Sequence, residues 1–306
     1  MASTQDLGLN EPEIEQTHQL STQTKKFEIR IAKTAGICFG VERALNLSEK
    51  AIKEKSGPLA SLGPIIHNPQ KVAELSERGM DVAEDLSSLS GTVVFRSHGV
   101  PIETQSLALA RGLNIVDATC PLVKVPQNFA RKLSQNGYFV VIVGDKAHPE
   151  IKGVMSYVQN GEVAVIKSEA EVQGLPEKEK VGIICQTTLN KSVFERVIEK
   201  CRARFKEVKV YNTICSATRD RQAAAAELAV EADCMIVIGG RNSSNTQKLL
   251  DICKDSLSRA FLVETQEEIR PEWLEGSKVV GITAGASTPH LLIEKIRGCL
   301  AQMGNA

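Results

Sequence analysis

Asp117-Ala118-Thr119-Cys120-Pro121 is the stretch on which the fold turns. A short apolar run, 113–116, leads into it and an amphipathic run, 124–133, leads out. This reads as strand, tight turn and helix, with Pro121 at the first helical position, where its missing N–H costs least. A thiol at such a turn faces unpaired backbone N–H groups and the positive end of the helix dipole, so the thiolate is favoured. Two other stretches have the same form. Residues 27–32 lead to Thr34-Ala35-Gly36-Ile37-Cys38 and a helix from 41, and residues 208–211 lead to Asn212-Thr213-Ile214-Cys215 and a helix from 219. We read the three cysteines as converging on one site.

The segments between these turns repeat as well. After each cysteine helix comes a strong apolar run (59–62, 138–143, 234–238), each ending in a polar loop: Gly63-Pro64-Ile65-Ile66-His67, Gly144-Asp145-Lys146-Ala147-His148-Pro149-Glu150, and Gly239-Gly240-Arg241-Asn242-Ser243-Ser244-Asn245. Later runs (92–96, 181–184, 279–282) end at Ser97-His98-Gly99, Gln186-Thr187-Thr188 and Ala284-Gly285-Ala286-Ser287. From Cys38 to His67, Cys120 to His148 and Cys215 to Ser243 the chain advances 29, 28 and 28 residues. From the same cysteines to His98, Thr187 and Ser287 it advances 60, 67 and 72. A period of roughly 80–95 residues is long for a solenoid and suits three small α/β domains. The expected division is a polar, disordered tail at 1–26, then units at 27–116, 117–211 and 212–306. Strand–helix alternation predicts small, mostly parallel sheets, whose carboxyl-end loops form the ligand crevice. Three such edges turned inward would make a trefoil around one cavity.

Composition bounds the partners. The 306 residues carry 37 basic and 37 acidic side chains, which gives no electrostatic case for nucleic acid or a membrane surface. No apolar run approaches the 18 residues of a spanning helix, so no membrane segment is expected. The tail lacks an apolar core and is poor in Arg, unlike a secretory or transit peptide, and His18 within it is idle. Eight cysteines in a chain of this length fit a reducing, cytoplasmic setting with thiols buried or metal-bound. Cys185, Cys201, Cys234, Cys253 and Cys299 fall in apolar strands or helices and are expected in the core.

Three thiolates from three domains suit zinc or an iron–sulfur cluster, and three protein ligands leave one position open for chemistry. His67, His98 and His148, three of five histidines, follow strands at matching places and can be cationic against an anion. Ser243, Ser244, Asn245 and Ser287 precede helices, where small polar side chains and free N–H groups cap the helix and bind phosphate. Glu150, two residues after His148, becomes a proton donor if a closed cavity raises its pKa, and Thr187 completes a hydroxyl relay. Asp117 is expected to fix its loop, Arg241 to be structural or at the rim, and His290 to face out or cap. A zinc-thiolate hydrolase of a phosphorylated substrate, or a phosphometabolite-binding protein with packed cysteines, fits the same residues.

Taken in order, Ala35-Gly36-Ile37-Cys38-Phe39-Gly40-Val41, Ser97-His98-Gly99, Asp117-Ala118-Thr119-Cys120-Pro121, His148-Pro149-Glu150, Gln186-Thr187-Thr188-Leu189, Thr213-Ile214-Cys215, Asn242-Ser243-Ser244-Asn245 and Thr283-Ala284-Gly285-Ala286-Ser287 carry a resemblance. From about residue 27 to near 297 the chain resembles the 4-hydroxy-3-methylbut-2-enyl diphosphate reductases of the non-mevalonate isoprenoid pathway. The resemblance implies one [4Fe-4S] cluster held by Cys38, Cys120 and Cys215, with the substrate hydroxyl on its open iron. It places His67, His98, His148, Thr187, Ser243, Ser244, Asn245 and Ser287 around the allylic diphosphate, and makes Glu150 the proton donor. It implies reductive loss of the hydroxyl to give isopentenyl and dimethylallyl diphosphates, with electrons from a ferredoxin or flavodoxin. The tail before Phe27, Gln127 in place of a histidine, and His290 in place of an acid depart from the pattern away from these residues.

Overall fold

A computed structural model describes residues 27–159 and 161–305; the tail expected at 1–26 lies outside them. The chain opens with β1 (Glu28–Ile31), α1 (Phe39–Glu54), β2 (Leu59–Leu62), α2 (Pro69–Glu77), β3 (Asp81–Ala83), β4 (Thr92–Phe95), α3 (Ile102–Ala110) and β5 (Asn114–Asp117). It continues through α4 (Pro121–Gln135), β6 (Phe139–Val143), α5 (Pro149–Met155), β7 (Val163–Ile166), β8 (Lys180–Cys185), α6 (Lys191–Arg204) and β9 (Glu207–Val210). It ends with α7 (Ser216–Glu231), β10 (Cys234–Ile238), α8 (Ser244–Ser256), β11 (Ala260–Val263), β12 (Val279–Ala284) and α9 (His290–Asn305). The expected strands are present; α3 and α5 are additional to the helices expected from sequence.

The strands form three four-stranded parallel sheets in the orders β3-β2-β4-β5, β7-β6-β8-β9 and β11-β10-β12-β1. Both faces of each sheet are covered, which is why the central strands read as unbroken apolar runs. In β10, Cys234, Ile236 and Ile238 enter one buried cluster while Met235 and Val237 enter another. In β6, Phe139, Val141 and Val143 face one way and Val140 and Ile142 the other. Successive side chains of a strand point to opposite faces, so an apolar run fills two cores.

One expectation is corrected. The division from sequence begins the first unit at residue 27, but β1 pairs with β12, in register Glu28↔Val279 through Ile31↔Ile282. The Glu28 and Ala32 N–H groups donate to Lys278 and Ile282 carbonyls, both at 2.8 Å. Phe27 and Ile29 pack on the core closed by Ile293, Ile296 and Leu300 of α9. β1 fills the edge of the third sheet beside β12.

This pairing gives the three cysteine turns the same role. The chain leaves the third sheet through β1 and Cys38, and α1 buries Val41, Ala44 and Leu45 with Leu59 and Val94 of the first. It leaves the first sheet through β5 and Cys120, and α4 buries Ala130 and Leu133 with Val140 and Ile142 of the second. It leaves the second through β9 and Cys215, and α7 buries Ala225 and Leu228 with Met235 and Val237 of the third. Each cysteine therefore sits where the chain crosses between sheets, and the crossings close a ring.

Candidate active site

Cys38, Cys120 and Cys215 are the N-cap residues of α1, α4 and α7. Their N–H groups donate to the carbonyls of Ala286 (3.1 Å), Ser97 (3.0 Å) and Thr187 (3.1 Å). Each cysteine turn is thus tied to the loop after a central strand of its own sheet. All three thiols line one cavity of about 680 Å³, counted to its mouth. Gly40 comes between two of them: a methyl group there would lie 2.5 Å from Cys120 Sγ and 3.9 Å from Cys38 Sγ. Cys215 Sγ accepts from the Thr218 N–H at 3.3 Å and lies 3.1 Å from Thr218 Oγ1.

The expected preference for thiolate at a helix start is outweighed at Cys120 and Cys215. Burial pushes the Cys120 thiol up, against N–H donors from Leu122 and Val123, and the neighbouring Cys38 and Cys215 charges add to the rise. Burial does the same to Cys215 against the Thr218 donors. Thiols crowded in this way ionise when a cation takes them as ligands.

The opposing wall is built at the switch points of the sheets, where ligands of open α/β sheets bind. In each sheet the two central strands, β2 and β4, β6 and β8, and β10 and β12, lie side by side, and the loops after them carry the polar residues. His67 follows β2 and His98 follows β4, with ring centroids 4.4 Å apart. His148 caps α5 after β6 and stands 5.6 Å from His67 and 5.5 Å from His98. The three present ligand atoms within 4.8 Å of one another. The sequence allows cationic imidazoles against an anion; without one, their surroundings favour the neutral rings. Burial and the Arg96 guanidinium lower His67, and burial, the other two rings and Arg96 hold His98 well below its usual value. Burial is the main cause that brings His148 down to about 4. His148 Nδ1 accepts from the Glu150 N–H at 3.1 Å, which leaves its proton on Nε2. His67 Nε2 and His98 Nδ1 are buried without a partner.

Glu150 is 1% exposed. Its Oε1 accepts from the Thr187 N–H at 2.7 Å and its Oε2 from Thr187 Oγ1 at 2.6 Å. Burial raises its pKa against these two donors, as a proton donor near neutrality requires. Ser243 caps α8 through the Thr246 N–H at 3.3 Å. Ser244 Oγ lies 3.2 Å from Thr188 Oγ1 and accepts from Gln186 Nε2 at 3.4 Å, which joins the second and third units. Asn245 is 5% exposed and neither of its side-chain polar atoms has a partner. Ser287 follows β12, and its carbonyl accepts from Asn68 Nδ2 at 2.9 Å, joining the third unit to the first.

Every candidate named from sequence lines this cavity. Asp117 fixes its turn, accepting from the Thr119 N–H at 2.9 Å and Lys124 Nζ at 2.6 Å. Arg241 does not line the cavity; it is exposed and paired with Glu268 and Glu264, and His290 faces out. Cys185, Cys201, Cys234 and Cys253 are buried; Cys299, expected in the core, is only partly buried, on α9. Sequence reasoning passed over Gly40, Arg96, Thr188, Thr218 and Arg221. Arg221 had a legible signal: Cys215, Thr218 and Arg221 are spaced by three, which puts them on one helix face. For Arg96 only its place before Ser97-His98 pointed to the site.

The donor set tests what the cavity fits. A single zinc, with Zn–S near 2.3 Å, would hold its thiolates about 3.8 Å apart. Among the described residues, the three histidines form the trio with ligand atoms within 4.8 Å of one another; the three thiols do not. They are spread too widely for one ion and suit a polynuclear group.

Fold and site define a three-lobed α/β protein whose inward sheet edges bring three thiols and a wall of imidazoles and small polar side chains to one cavity. The LytB protein family model matches residues 29–301, and the chain belongs to that family. It is 47% identical over 275 residues to a 4-hydroxy-3-methylbut-2-enyl diphosphate reductase of Anaeromyxobacter sp. (strain Fw109-5), covering 89% of this chain and 96% of the relative. It is 44% identical to the enzyme of the same name from Aquifex aeolicus (strain VF5), over 90% and 96% of the two chains. A solved structure of (E)-4-hydroxy-3-methyl-but-2-enyl diphosphate reductase, described as the terminal enzyme of the non-mevalonate pathway, aligns with a TM-score of 0.67 at 43% identity over 90% of this chain and 99% of the other. The Plasmodium falciparum reductase structure aligns with a TM-score of 0.86 at 25% identity over 90% and 88%.

Proposed function

We propose that this chain reduces 4-hydroxy-3-methylbut-2-enyl diphosphate with two electrons and two protons, expelling the allylic hydroxyl as water and releasing isopentenyl or dimethylallyl diphosphate. One observation carries the reading: the thiols of Cys38, Cys120 and Cys215 and the unpartnered donors of His67, His98 and Asn245 line the same cavity. A ligand group for electron chemistry and a grip for an oxyanion are what this reaction needs together. The family relationship supports the same reaction.

Cys38, Cys120 and Cys215 would hold one [4Fe-4S] cluster, which when bound supplies single-electron storage and a Lewis-acidic iron. The chain's own residues supply the rest. His67, His98 and His148 present N–H donors to the diphosphate, and Asn245, Ser243, Ser244 and Ser287 add neutral polar groups around it. Neutral donors aimed at an anion in a buried site bind it without desolvating a charge of their own. This grip fixes the allylic end against the thiol wall and turns a collision into a positioned reaction. Glu150 holds the proton at its carboxyl, oriented by Thr187, and burial keeps it on that oxygen until the leaving hydroxyl needs it. Electrons would arrive singly from a ferredoxin or flavodoxin. All eight cysteines are free and no helix among the described residues is long and apolar enough to cross a membrane, which supports a reducing, cytoplasmic setting.

Protein isolated without oxygen should be brown, hold iron and acid-labile sulfide together, and release both five-carbon diphosphates when given substrate and reduced viologen. A colourless protein with one zinc, or with no metal, would overturn the reading in favour of a hydrolase or a binding protein.

A further inference from the structure

Arg221 is a buried cation with no carboxylate paired to it among the described residues. It lies on α7, 4% exposed, and lines the cavity with Cys38 and Cys215. Its Nη2 donates to the Gly36 carbonyl at 2.6 Å and its Nη1 to the Ala217 carbonyl at 3.2 Å, while Nε is buried without a partner. Gly36 belongs to the loop that delivers Cys38, so one side chain ties the helix of Cys215 to the turn of Cys38. The charged groups that act on the guanidinium are those two thiols, whose ionised forms favour its charge against burial. A cation out of water without a counter-anion is strongly disfavoured, so its retention points to an anion between Cys38 and Cys215. Two carbonyls at fixed positions also explain why a planar fork occupies the place rather than a flexible ammonium.

We propose that Arg221 is a positioning residue for charge: its guanidinium, fixed against Cys38 and Cys215, sets the reduction potential of the iron–sulfur group those thiols hold. The inference rests on the iron–sulfur reading above and extends it. Each electron delivered by the low-potential donor lowers by one the charge that Arg221 faces, and no bond forms or breaks in that step. A fixed cation in a dry site favours the more negative, reduced form over the oxidised one. Arg221 therefore raises the potential, so that a biological one-electron donor can complete the transfer.

The test uses anaerobically isolated holoenzyme, Arg221→Gln and Arg221→Lys. Iron and sulfide are counted first, and the midpoint is then read by spin-resonance-monitored titration with dithionite. Arg221→Gln should keep the parent's iron and sulfide and become harder to reduce by about tenfold, near 59 mV for one electron. Arg221→Lys, which keeps the charge, should stay close to the parent. If Arg221→Gln loses its cluster while Arg221→Lys keeps both cluster and potential, charge is again the property that matters. A loaded Arg221→Gln protein at the parent's potential overturns the proposal. Equal shifts in both variants, or loss of iron from both, also overturn it and leave Arg221 a packing role. Parent protein that holds no iron or sulfide is a different failure, that of the iron–sulfur reading itself.

Discussion

At the scale of single residues, the site depends on side chains taken out of water with few partners. Glu150 is the sharpest case. Its carboxyl is buried, its two oxygens are both taken up by Thr187, and burial keeps it protonated to higher pH than a surface glutamate. An amide has the same shape and keeps the Thr187 N–H bond, but has no acidic proton to give. Glu150→Gln should bind substrate as the parent does, by calorimetry, and turn over slower by about 10²–10⁴-fold with reduced viologen, the usual contribution of a general acid. Full activity in that variant would remove Glu150 from the proton path. The sequence placed Glu150 beside His148 and left both a solvated and a buried reading open. Burial is decided by residues far away in the chain, such as Thr187, so no local pattern could settle it.

At the scale of elements, the helix N-terminus is the working unit, and close approach is what it needs. Gly40, in the first turn of α1, lets that turn press against Cys120 from another helix. Gly40→Ala would put a methyl group 2.5 Å from Cys120 Sγ, far inside contact distance, with a helix backbone on one side and the thiol on the other. The expected result is a protein with parental circular dichroism that retains little iron when isolated without oxygen. Parental iron content would mean that α1 can shift without disturbing the ligands. Elements of this kind were legible from sequence: apolar runs mark the strands, Pro121 and the serines mark helix starts, and equal spacings mark the repeat. The role of Gly40 was not legible, because a glycine in a helix start has no signature for a neighbour 80 residues away.

At the scale of the whole molecule, the ring closes because β1 leaves its sequence neighbours and joins the last sheet. Ile29 is its anchor on the core beneath α9. Ile29→Asp would set a charge against that core at a cost of about 1–3 kcal/mol. Amide exchange should then rise in β12, through residues 279–284, while β6 and β8 of the second sheet stay protected. Unchanged protection in β12 would show that the third sheet does not need its N-terminal strand.

The sequence by itself determined the α/β class, the threefold repeat, the inventory of thiols, imidazoles and small polar residues, and their place after strands. All of these follow from periodicity, propensity and spacing, which act within a few turns of the chain. Only the tertiary structure decided that β1 completes the third sheet, that burial lowers the three histidines, that the thiols of Cys120 and Cys215 are raised rather than lowered, and that Arg96 and Arg221 supply the cations. Those outcomes depend on desolvation and on partners distant in sequence, and both exist only once the three sheets have closed around the cavity.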